Sequence, residues 1–101
     1  MSIEEFILAV KEERFVEAHE LLEVEWRGYK KIEEKSKAKA IQGLINGATA
    51  LALFKKNRYE AYEKVWKVFK KYNHLLENLD NNKKYYEASR LLELKNSSIT
   101  S

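Results

Sequence analysis

A histidine and a glutamate four residues apart, His19 and Glu23, stand inside the stretch Arg-Phe-Val-Glu-Ala-His-Glu-Leu-Leu-Glu-Val-Glu-Trp, residues 14–26. On an α-helix that spacing stacks the two side chains on one face, one turn apart. Three kinds of chemistry could use such a pair. His19-Glu20-Leu21-Leu22-Glu23 superficially resembles the helical zinc motif His-Glu-x-x-His, with Glu23 where the second histidine would be. An acid–base hydrolase could employ His19, Glu20 and Glu23. In a purely structural role, His19 would donate to Glu23 or to an amide and fix helix register through a small polar network. The metal reading lacks ligands. His74, the other histidine, falls off the apolar seam of its own helix, and Val16 and Lys71 precede the two histidines where a Glu-x-x-His pattern needs glutamate. No metal and no cofactor is therefore expected, and the structural role leads.

These residues need helices to hold them. At 100° per residue, Phe15, Ala18, Leu22 and Trp26 form one apolar stripe with His19 inside it and Glu23 on its edge. A ring buried there must find a partner, because an unpaired buried polar group is costly. Ile3, Phe6, Ile7 and Val10 predict a first helix over about 2–11, with Ser2 and Glu5 in a capping-box arrangement. The second helix, carrying His19, should stop near Gly28. Residues 28–36 read as a loop and Ser36 as an N-cap for a third helix over about 37–56. Asn57 breaks the pattern. Tyr62, Val65, Phe69, Tyr72, Leu76 and Leu79 then mark a fourth helix over about 58–79 with a narrow seam. Asp80-Asn81-Asn82 is a turn, and Tyr85, Ala88, Leu91 and Leu92 give a fifth helix ending near Leu94.

The third helix is apolar or small all round, which marks a buried helix. Ile41, Leu44, Ile45, Ala48, Leu51 and Ala52 form its wide face; Ala40, Gly43, Gly47, Ala50 and Phe54 lie opposite. Each interior glycine costs about 1 kcal/mol relative to alanine, so two of them four apart predict a close backbone approach. That neighbour is either another helix of the same chain or a second copy across a two-fold axis. The expected fold is all-α: a compact bundle of about five helices with the second and third as a central antiparallel hairpin. The hairpin would turn His19 and Glu23 towards Gln42, Asn46 and Thr49.

The segment Phe15-Val16-Glu17-Ala18-His19-Glu20-Leu21-Leu22-Glu23 with Trp26 resembles the F-x-E-A-H-E-x-L-E-x-x-W signature of the DUF309 family, small helical proteins of unknown function. Gln42-Gly43-Leu44-Ile45-Asn46 is similar to that family's Q-G-L-I-Q segment, and Asn57 with Ala61 fits its N-x-x-x-A turn. The resemblance spans about residues 12–70. It implies an all-helical fold, no established activity, and a polar cluster of Glu17, His19, Glu20, Glu23, Trp26, Gln42 and Asn46. Two positions depart from the pattern: Asn46 stands where glutamine is commoner, and Ala52 where many members carry a second histidine.

Composition narrows the function classes. The 101 residues make one domain, expected over 1–95 with a polar, frayed tail at 96–101. There is no cysteine, which excludes disulfides and thiolate chemistry. Nineteen Lys and Arg against 16 Asp and Glu leave a net charge of only +3, with the signs interleaved, so nucleic acid is not an expected partner. Lys30, Lys31, Lys35, Lys37 and Lys39 form the most basic stretch and read as a solvated loop beside Glu33 and Glu34. The acidic start lacks the apolar core of a signal peptide, and no run is long enough for a membrane span. The expectation is a cytoplasmic, non-enzymatic interaction or scaffold module whose partner is an unknown protein or a second copy, with a metal-dependent or acid–base hydrolase as the alternative.

Overall fold

The computed structural model describes residues 2–101. Among them lie six α-helices: α1 (Ser2–Lys11), α2 (Phe15–Leu21), α3 (Glu23–Lys31), α4 (Lys35–Lys55), α5 (Tyr59–Tyr72) and α6 (Asn82–Thr100), with a 3-10 segment at Asn73–Asn78 and no strand. The protein is an all-α bundle. α4 runs through its middle and packs against α2, α3, α5, α6 and the 3-10 segment.

α2 and α3 lie antiparallel to α4. Glu13, just before α2, pairs with Lys55 at the far end of α4. His19 shares a cleft with Ile45 and Asn46, and Trp26 shares one with Ala38 and Gln42. The two short helices are one stretch divided at Leu22 (φ −93°, ψ −6°), whose side chain is fully buried.

Three connections share one geometry. α1, α3 and α4 each end on a left-handed residue: Glu13 (φ 58°), Glu33 (φ 59°) and Asn57 (φ 63°). In each case the next N–H reaches back five residues, Arg14 to the Ala9 carbonyl at 2.8 Å, Glu34 to Tyr29 at 2.9 Å and Arg58 to Leu53 at 3.0 Å. This is the Schellman closure, which satisfies helix-end carbonyls. The expectation of a stop at Gly28 is thereby corrected, because α3 passes through Gly28 and the left-handed residue is Glu33. Gly28 is exposed, and a Cβ added there meets nothing within 4 Å. Gly28→Ala should therefore stabilise the protein by roughly 0.5–1 kcal/mol, since it removes the entropic cost of a mid-helix glycine. An unchanged or lower urea midpoint would contradict this.

Gly43 and Gly47 behave differently. A Cβ on Gly43 would lie 3.0 Å from Tyr72 Cβ, and one on Gly47 would lie 2.8 Å from Leu92 Cδ1 and 3.0 Å from Phe69 Cδ1. The small face of α4 is thus covered by α5 and α6 of the same chain, and the two-fold axis considered for it is not needed. Of the seam expected over 58–79, Phe69 on α5, Leu76 in the 3-10 segment and Leu79 just after it are buried, whereas Tyr62, Val65 and Tyr72 are half-buried.

Three local expectations are corrected. Ser36 lies inside α4, where its Oγ accepts a hydrogen bond from Asn78 Nδ2 at 2.7 Å, and caps nothing. α5 ends at Tyr72 and tightens into the 3-10 segment, where the buried Ser89 hydroxyl donates to Asn73 Oδ1. Residues 96–100 continue α6 instead of fraying: Ile99 packs on the core and the Tyr62 hydroxyl donates to Asn96 Oδ1. Tyr85, on the apolar face of α6, is buried at 5% exposure.

Candidate functional site

His19 is the fifth residue of α2 and Glu23 the first of α3, so the pair spans the division at Leu22. His19 Nε2 lies 3.1 Å from Glu23 Oε1, and the other carboxylate oxygen accepts from Arg27 at 2.6 Å. A three-residue chain therefore runs from α2 along the first turn of α3. The expectation that the ring is sealed between packed helices is corrected: 36% of the His19 side chain is exposed, and 27% of Glu23. Ala18 and Leu22 are buried on either side of it. The 100° step from Ala18 swings His19 to the margin of the apolar stripe.

The ring opens into a cleft of about 270 Å³ lined by His19, Glu23, Trp26, Gln42, Ile45 and Asn46. The fold thus gathers His19, Glu23, Trp26, Gln42 and Asn46 from the sequence-predicted cluster. Glu17 and Glu20 stay outside it. Glu17 is exposed and pairs with Arg14; Glu20 is exposed and does not line the cleft. Sequence reasoning missed Arg27 and Ile45. Arg27 was accessible from its position four residues beyond Glu23, whereas Ile45 enters only through the hairpin.

A second cleft, of about 340 Å³, adjoins the first and shares Trp26 and Gln42 with it. Its remaining walls are Ala38 and the side chains of Lys30, Lys35 and Lys39, with Glu33 also at the rim. Lys30 Nζ stands 4.6 Å from the Trp26 ring centre. Together the clefts form a trough along the seam of α2 and α3 with α4, with the His19–Glu23 pair at one end and lysines at the other. Among the described residues no three His, Cys, Asp or Glu side chains come together as a metal-holding set.

One further polar pair ties α3 to α6. The Tyr85 hydroxyl donates to Glu25 Oε1. Burial, and after it the adjacent Glu25 carboxylate, push the Tyr85 phenol well above the ordinary tyrosine range. The folded state holds this proton more tightly than the unfolded chain does. Its stabilisation is therefore complete below the unfolded value of 10.0 and is lost as pH rises beyond it. Between about pH 10 and 12 the wild-type melting temperature should fall more steeply than that of Tyr85→Phe. Parallel curves would contradict this.

Fold and site together define a small all-helical protein with a His–Glu pair bridging a helix division at the wall of an open trough. The chain belongs to the DUF309 family, described as a domain of unknown function, whose sequence model matches residues 3–65 of the 101. The match takes in every residue of the trough; the rest of α5 and all of α6, which cover the glycine face, lie beyond it. No curated protein and no solved structure gives a match.

Proposed function

We propose that the protein is a non-enzymatic interaction module in which His19, Glu23 and Arg27 are framework. The observation that carries this reading is that the chain of contacts spans the division at Leu22 and so joins α2 to α3 at the place where the helix is interrupted. The partner is a protein or a second copy of this chain. Val24 and Ile32, 70% and 65% exposed, offer it apolar side chains on the solvent side of α3 and at its end. Glu20 has no part in the framework, since it does not line the cleft and forms no ion pair among the described residues.

A second reading has one observation in its favour. The His19 ring is open to a cleft, as an acid–base hydrolase using His19 and Glu23 requires. Thermal melts separate the two. With a framework role, His19→Ala loses a hydrogen-bonded pair worth about 1 kcal/mol, a fall of about 4–8 °C for a domain of this size. A melting temperature within about 1 °C of wild type would contradict the framework role and favour the hydrolase.

A further inference from the structure

We propose that the lysine end of the trough is a binding site for a small organic anion with a flat apolar body. This inference goes beyond the interaction reading and does not rest on it, because it concerns the other end of the trough. The cleft volume of about 340 Å³ falls in the range of small-molecule sites. Its surfaces are divided in the way such a ligand requires. Trp26 and the buried Ala38 supply an apolar wall and floor, and the Gln42 amide supplies a directional polar group.

Charge decides the sign of the ligand. Lys30, Lys35 and Lys39 converge on the cleft against the single Glu33. None of the three takes part in an ion pair among the described residues, although Arg14, Arg27, Lys55, Lys70 and Lys95 all do. An organic cation stacking on Trp26 would meet three ammonium groups. A carboxylate, sulfonate or phosphate would be attracted by all three, while the body of the molecule lies along the part of the indole that Lys30, whose Nζ stands over the ring 4.6 Å from its centre, leaves open. A volume of about 340 Å³ is that of one small molecule.

The probe is 8-anilinonaphthalene-1-sulfonate, a flat aromatic body with one anionic group, titrated into the folded protein at low ionic strength. A Trp66→Phe background leaves Trp26 as the sole indole. The expected result is saturable binding of one probe per chain, with energy transfer from Trp26 and an unchanged near-ultraviolet circular dichroism spectrum. The double variant Lys35→Glu/Lys39→Glu should weaken binding at least about tenfold, and Lys64→Glu/Lys67→Glu, the same charge change on exposed positions of α5, should not. N-phenyl-1-naphthylamine, which has the same body without the sulfonate, should bind at least about tenfold more weakly. No saturable binding, equal loss in both double variants, or equal affinity for the two probes would each overturn the proposal.

Discussion

Phe69→Ala should cost about 3–5 kcal/mol of folding stability, the range for deleting a large aromatic side chain from a packed core. Phe69 is 1% exposed. Its ring lies 4.7 Å, centre to centre, from that of Trp66, and its Cδ1 and Cγ lie 3.0 and 3.2 Å from where a Cβ on Gly47 would stand. The vacated space cannot be filled cheaply from the α4 side, because Gly47 has no side chain to move into it. For a small domain with about 5–15 kcal/mol in total, such a loss brings the protein near its folding threshold. Urea unfolding measures it, and a loss below about 1 kcal/mol would show that Phe69 does not hold α5 against α4.

The complementary change, Gly47→Val, should cost about 3 kcal/mol, at the upper end of overpacking effects. Alanine at this position would regain about 1 kcal/mol of helix propensity while its Cβ crowds Phe69 and Leu92. Leu92 meets the new atom with the end of a flexible side chain, but the Phe69 ring also packs against Trp66 and has less room to move. Valine adds two methyl groups with little rotameric freedom to escape, so repulsion dominates. A Gly47→Val protein as stable as wild type would contradict the close packing of α4 against α5 and α6.

The relation of α4 to the rest of the bundle was legible because its residues are apolar or small in every direction, which only a surrounded helix tolerates. The seam over 58–79 was legible from its three- and four-residue spacing, but not the end of α5 at Tyr72, beyond which Leu76 and Leu79 fall. The helix ends were less so. Glu13 and Glu33 adopt the left-handed conformation that glycine usually supplies, so a reading keyed to Gly28 placed the stop one turn early. The division at Leu22 left no mark, since an apolar residue at that position suits an unbroken helix equally well. Of the candidate site, His19, Glu23, Trp26, Gln42 and Asn46 were found from local spacing and the expected hairpin. The exposure of His19 was not, because a ring at the margin of a stripe is covered or open according to what packs against it. Tyr85 and Glu25 are 60 residues apart, and nothing local in either segment announces their hydrogen bond. The lysines at 30, 35 and 39 read locally as a solvated loop, because only α4, which carries Lys35 and Lys39, brings them to the same cleft as Trp26.

A double-mutant cycle on His19 and Glu23, measured by urea unfolding of wild type, His19→Ala, Glu23→Ala and the double variant, bears most directly on the framework role of the pair. The cycle removes the separate effect of losing Arg27 from Glu23 and isolates the link across Leu22. A coupling of about 0.5–1 kcal/mol in favour of the pair is the expected result, and it gives the pair a hold on the fold. Strictly additive single effects would contradict it, leaving His19 and Glu23 as neighbours at the mouth of a cleft with no hold on the fold.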